Sequence, residues 1–296
     1  GCVGPPSLPW WAMENPFWLA LTAPQPAYLL RIGAFSAAFA GLFVAVDRLV
    51  SAAASGSALQ AVSSPRGGAK DGAKTSARSG LSAATNVCSA VHALVTAVGA
   101  VWTVWQLWIG DPSGLAPTVW QWVLAFSQGY FIADAGLYGT RREAWVLMHH
   151  SWMIVAHHPI GEPLVGCGLM GAGDCSLAIW LSATGYWAEI STIFLVIRWF
   201  QIRFLRKHSV WYTINSACLL VTYPLTRIPT ALAILVFSLW PRSAEYERQG
   251  LSSLVTFTTV TYIVMALMSS FYFYTLVSRG LSRALVFAPA GSSKEQ

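Results

Sequence analysis

A handful of residues that could do chemistry stand inside long apolar stretches of this sequence: His92, Asp134, His149, His150, Glu189, Ser191, Arg198 and Arg227. An ionisable side chain is expensive to hold away from water, so each of them needs a partner or a task. A histidine near a carboxylate suits general-base work. His149 or His150 would take a proton and Asp134 would orient the ring. The structural alternative is that Asp134, Glu189 and Arg227 clamp helices together, because an arginine fork pairs well with carboxylates.

Metal chemistry is less well served. His150 and His157 share a helix face but stand about 10 Å apart along the axis, too far to share one ion. No histidine lies four residues before another, and the five cysteines show no CxxC spacing. No metal is therefore expected. A haem held by His92 and a histidine of the helix carrying His149 and His150 is a further, weaker reading. Cys167 and Cys175 share one loop, where a disulfide is conceivable. His157 and His158 precede Pro159, where a helix should stop. The stripe Trp102, Trp105 and Trp108 has helical spacing and reads as lipid-facing or packing surface.

The elements that carry these residues are set by composition. The chain is 55% hydrophobic and only 10% charged, with a mean hydropathy of +0.53. A soluble domain of 296 residues needs far more charge, so lipid is the expected solvent. The formal charge of +6 sits in short clusters between apolar runs, which excludes a nucleic-acid face and points to anionic headgroups. A spanning helix needs about 20 largely apolar residues. Such segments are read at 28–50, 87–109, 117–138, 144–160, 176–200, 209–240 and 252–278. The fold class is therefore all-α: a polytopic membrane protein of about seven transmembrane helices. The sixth is long enough to be tilted, or kinked at Pro224 or Pro229.

Lys and Arg alternate across these spans. Arg48, Arg66, Lys70, Lys74 and Arg78 fall in the first loop, and Arg141 and Arg142 in the third. Arg198, Arg203, Arg206 and Lys207 fall in the fifth, and Arg279, Arg283 and Lys294 in the tail. The second and fourth loops carry none, and Arg242 and Arg248 are in the sixth. The C-terminus is thus expected on the cytoplasmic, matrix or stromal side. The membrane is expected to be the endoplasmic reticulum or an organellar inner membrane. Residues 1–27 read as an N-terminal arm, 28–50 as the first helix and 51–86 as a flexible basic linker rich in Ala, Ser and Gly. A six-helix unit follows over 87–278, then a tail at 279–296. The chain begins at Gly1 and lacks an Arg-rich amphipathic start, so any targeting signal is expected to have been removed already.

Several motifs, taken in order across 87–278, resemble the TLC-domain family, the group that includes ceramide synthases and TRAM-like translocon-associated proteins. Val91-His92-Ala93-Leu94-Val95 looks like the family's opening helix. Gly129-Tyr130-Phe131 followed by Asp134 is similar to its third-helix signature, and Met148-His149-His150 resembles its paired histidines. Glu189-Ile190-Ser191-Thr192-Ile193-Phe194-Leu195, closing on Arg198-Trp199, looks like a run of the small TLC-domain proteins. Arg227-Ile228 sits where the family tends to carry an arginine. Ceramide synthases pair the double histidine with two aspartates in a later helix, where this chain offers Glu189. The resemblance implies a helical barrel or bundle with a central cavity able to take an acyl chain or lipid.

Three functions are expected in competition. The first is a lipid-handling protein that binds acyl lipids and influences membrane lipid composition, with His92, Tyr130, Asp134, His150, Glu189, Ser191, Arg198 and Arg227 as its polar cluster. It needs no cofactor beyond bound lipid. The second is an accessory subunit of a large membrane complex, touching other membrane subunits through 1–27 and 51–86. The third is an acyl-CoA-dependent N-acyltransferase with His149, His150 and Asp134 as its catalytic groups.

Overall fold

The computed structural model describes residues 26–62, 69–111, 114–138, 144–161, 176–204, 209–241, 243–248 and 252–286. Helix α1 spans Pro26–Val62, α2 Ala69–Trp108, α3 Ala116–Tyr138, α4 Ala144–Gly161 and α5 Ser176–Gly185. A three-residue 3-10 turn, Tyr186–Ala188, joins α5 to α6 at Glu189–Phe204. Then come α7 at Val210–Ala233, a π-helical turn at Ile234–Leu239, the short α8 at Ser243–Arg248 and α9 at Ser252–Val286. No strand occurs among the described residues.

The described structure is helical, with several apolar helices long enough to span a membrane. Among the described residues five stretches are long and apolar enough: Pro26–Ala53, Ala83–Trp108, Ile179–Ile202, Val210–Phe237 and Val255–Ser278. The seven expected segments all contain helix, but two fall short of that standard. Helix α3 carries Gln121, Gln128 and Asp134 within its span, and the apolar part of α4 is the short Val146–Val155. Most of 51–86, read from sequence as a flexible linker, is helical: 51–62 extends α1 and 69–86 opens α2. Its alanines are the strongest helix formers there are, and they extend helices already nucleated on either side. Helix α4 likewise runs two residues past Pro159. A proline in the last turn removes only one backbone bond. The arm 1–25, the Cys167 and Cys175 loop and the tail beyond 286 lie outside the described residues.

The chain divides into two compact units, Gly1–Ser216 and Ala217–Gln296. In the first, α3 packs against α1, α2 and α4, while α2 also packs against α5 and α6. Lipid tails are as apolar as leucine, so burial alone cannot drive such helices together, and close approach of small residues matters more. Helix α2 accordingly turns Ala93, Ala97 and Ala100 inward, all 5% exposed or less. At Gly129 on α3, an added Cβ would lie 2.5 Å from Phe35 Cβ and 2.8 Å from the Ser36 nitrogen. Only glycine lets α1 come that near. The same seam is filled by Tyr28, Ile32 and Ala125, with Phe35 edge-on to Phe126 at 5.3 Å. Arg31 lies 4.1 Å over the Trp122 ring, which gives that cation a partner near the end of its span.

In the second unit Tyr223 packs against Tyr272 and Phe273. Both Pro224 and Pro229 lie inside α7. Pro229 has no N–H to give the Leu225 carbonyl one turn back. The Thr230 hydroxyl donates to that carbonyl instead, at 3.4 Å, so the helix continues. This is how a spanning helix re-satisfies a backbone group that a proline has freed.

Candidate functional site

The sequence picked out its polar residues one at a time; helical spacing decides which of them meet. On α3, Ser127, Tyr130, Phe131 and Asp134 recur at intervals of three and four and so share a face. On α2, Ser89, His92 and Thr96 do the same. The 3-10 turn sets Tyr186 three residues before Glu189, at the joint between α5 and α6.

These faces converge. His92 Nε2 is 2.8 Å from Ser127 Oγ, and Ser127 Oγ is 2.7 Å from the Tyr186 hydroxyl. His92 Nδ1 faces Glu189 Oε2 at 3.9 Å, beyond hydrogen-bond length. With the ring proton on Nδ1, Ser127 donates to Nε2 and Tyr186 donates to Ser127; the other tautomer reverses both. His92 stacks on Tyr130 at 4.3 Å between centroids, and the Tyr130 hydroxyl bonds Ser89 Oγ at 2.7 Å. Tyr130 in turn meets the His150 ring edge-on at 5.8 Å. His150 Nδ1 pairs with Asp134 Oδ2 at 3.0 Å. Asp134 is fully buried and His150, Glu189 and His92 are nearly so. Nearby, Trp120 Nε1 donates to Ser182 Oγ at 2.9 Å and its ring packs edge-on to Tyr186.

His92, Tyr130, Asp134, His150 and Glu189 are thus brought together. His149 touches the edge of the group through Phe131 and His150. Ser191, Arg198 and Arg227 show other contacts. The Ser191 hydroxyl donates to the Ala188 carbonyl of its own chain segment at 2.7 Å. Arg198 reaches the Tyr212 hydroxyl at 3.4 Å. Arg227 belongs to the second unit, where it lies 4.8 Å over the Tyr223 ring one turn back. Within the first unit the two carboxylates have histidine neighbours. Ser127 and Tyr186 were missed from sequence. Ser127 stands three residues before Tyr130 and seven before Asp134, a spacing that would have found it. Neutral hydroxyls raise no alarm in an apolar helix, and so they escaped notice.

Chemically the cluster can accept, hold or pass a proton between imidazole, hydroxyl and carboxylate. It can equally bind four helical elements to one another. Among the described residues no three of His, Cys, Asp or Glu converge as metal ligands. His92 has Ser127 on one nitrogen and Glu189 facing the other. Cys88 and Cys218 are free thiols.

Beside the cluster, on the α2/α6 seam, runs an open apolar groove of about 480 Å³ lined by Leu94, Val98, Val101, Trp105, Ile190 and Ile193, among others. Leu94 is two residues beyond His92, and Ile190 directly follows Glu189. The resemblance implied a central cavity; the described groove runs along the α2/α6 seam. Trp105 and Trp108 are exposed at 59% and 80%, as a lipid-facing stripe would be. No protein-family model, no curated protein and no solved structure matches the chain.

Proposed function

We propose that this protein is a lipid-handling membrane protein that holds an acyl chain along the α2/α6 seam and so influences the lipid composition around it. The observation that carries this reading is the groove. Leu94 and Trp105 stand eleven helical rises apart, a length of about 16 Å. That is roughly half of the ~30 Å hydrocarbon core, or one leaflet's worth of acyl chain. Its walls are hydrocarbon and indole. Helix α3 is wedged among α1, α2 and α4 and shares their surroundings, so we take the chain to cross the bilayer about seven times. The alternating Lys and Arg favour a cytoplasmic, matrix or stromal C-terminus.

The test is a photoactivatable fatty-acyl probe added to the purified full-length chain, with the crosslinked residues mapped by mass spectrometry. Label is expected on α2 between Leu94 and Trp105. Ala97→Phe, which fills the groove floor, should lower it by at least about fivefold, equivalent to roughly 1 kcal/mol. Label spread evenly over all lipid-facing helices, or indifferent to Ala97→Phe, refutes the reading and leaves the scaffold of an accessory subunit. The Asp134–His150 contact supports a second reading, acyl-CoA-dependent N-acylation of an amine. His150 would act as base and Asp134 would hold its ring. Amide product from acyl-CoA and a long-chain amine that disappears in His150→Ala would support it. Equal product from both proteins would end it.

A further inference from the structure

At the far end of α6 a second polar arrangement lies outside the cluster. Arg198 stands inside the span Ile179–Ile202, four residues, or about 6 Å, from its end. That is the depth at which a long cation reaches the headgroup boundary. It is half-buried. Its Nε is enclosed without a hydrogen-bond partner, and a terminal nitrogen makes only the long contact to Tyr212 at 3.4 Å. Of five N–H donors, one is therefore engaged, weakly, by the described residues. Tyr212 is held firmly opposite. Ser209 caps the start of α7, accepting from the Tyr212 backbone N–H at its Oγ at 3.2 Å. Asn215 Nδ2 donates to the Phe194 carbonyl at 2.9 Å, one turn before Arg198, and so ties α7 to α6 at this level. From Ile190 to Ser216 the sequence holds Arg198, Arg203, Arg206 and Lys207 and no Asp or Glu.

An arginine fork with free donors, a phenol whose O–H is still available to donate, an excess of positive charge and a position at the boundary match one chemistry. We propose that Arg198 and Tyr212 bind the phosphate of an anionic lipid headgroup in the leaflet on the side of the α6–α7 connection. The two terminal nitrogens of the fork take two phosphate oxygens side by side, as guanidinium does with oxyanions generally. Tyr212 donates its proton to a third oxygen while its ring keeps the guanidinium in place, 5.8 Å from the ring centroid. The site does not depend on the groove, which is lined by other residues.

The experiment measures binding to the purified full chain in neutral detergent, using dioctanoyl phosphatidic acid, dioctanoylglycerol and inorganic phosphate as separate probes. Phosphatidic acid should bind at least about tenfold tighter than either of the others, the size of one charge-assisted contact. Arg198→Leu should abolish that preference. Arg198→Lys, which keeps the charge and loses the fork, should weaken phosphatidic acid by about three- to tenfold, and Tyr212→Phe by about threefold. These two conservative variants keep the test alive should Arg198→Leu fail to fold. Equal affinity for dioctanoylglycerol overturns the proposal. So does a phosphatidic acid preference unchanged in both Arg198→Lys and Tyr212→Phe. Inorganic phosphate binding as tightly as the lipid would make this a free-phosphate site and overturn the headgroup assignment.

Discussion

Replacing Gly129 by alanine adds one methyl group, and the structure sets what that methyl meets. Its Cβ would fall 2.5 Å from Phe35 Cβ, 2.8 Å from the Ser36 nitrogen and 2.9 Å from the Phe35 carbonyl carbon. Carbon atoms settle at about 3.5–4.0 Å, so α1 must retreat by about 1 Å. Two of the three obstacles are backbone, which no rotamer change can move aside. Overpacking of this kind costs roughly 1–3 kcal/mol, and a rigid obstacle belongs at the upper end. Alanine recovers about 1 kcal/mol through its better helix propensity. A net loss of about 2 kcal/mol follows, or about 30-fold in the folded-to-unfolded ratio. The control is Gly136 on the same helix, where nothing lies within 4 Å of the added methyl. Gly136→Ala should be neutral or stabilising by up to about 1 kcal/mol. Both are read by denaturation of the purified protein in detergent, followed by tryptophan fluorescence. If Gly129→Ala proves as stable as Gly136→Ala, α1 does not pack on α3 as described.

Two further perturbations address the polar cluster. Asp134→Leu leaves His150 facing hydrocarbon and should cost about 3 kcal/mol, while the double variant Asp134→Leu/His150→Leu should recover most of that loss. A double-mutant cycle of thermal stabilities measures the coupling, and additive effects would refute a direct pair. Ser127→Ala strips a partner from both His92 and Tyr186 and should cost about 1–3 kcal/mol. The same denaturation assay reads it, and a change of less than about 0.5 kcal/mol would mean the two groups find other partners.

Much of this arrangement was written in hydrophobic periodicity. Apolar runs of spanning length placed every one of the long helices, because the cost of an unpaired backbone in lipid leaves helix as the natural choice. The linker at 51–86 was misread because low hydrophobicity was equated with disorder, whereas its alanines favour helix whether or not a face is buried. Asp134 and the histidine pair were legible as residues whose burial demands a reason. What could not be read was pairing across helices. Asp134 meets His150, and Glu189 comes nearest His92, because rotation and depth bring α3 to α4 and α2 to α6. No local pattern encodes that choice. Ser127 and Tyr186 stayed hidden for other reasons: a serine hydroxyl can back-bond to its own helix, and a tyrosine passes as an ordinary aromatic in an apolar run.

The two imidazoles are not interchangeable, and their surroundings assign them different parts. His92 is 2% exposed, and its carboxylate neighbour Glu189 keeps 11% of its side chain exposed. Asp134, by contrast, keeps none, and its contact with His150 is 0.9 Å shorter than that of Glu189 with His92, 3.0 against 3.9 Å. The short pair is held by geometry that would have to break before a proton acceptor became available. The longer pair can adjust to a neighbour without losing a hydrogen bond. On the α4 side, Leu147 and Met148, just before the histidine pair, are exposed. The residues lining the groove on α2 and α6 include neither His92, His150 nor their carboxylate neighbours. A groove-filling substitution on α2 should accordingly leave any chemistry at His150 untouched.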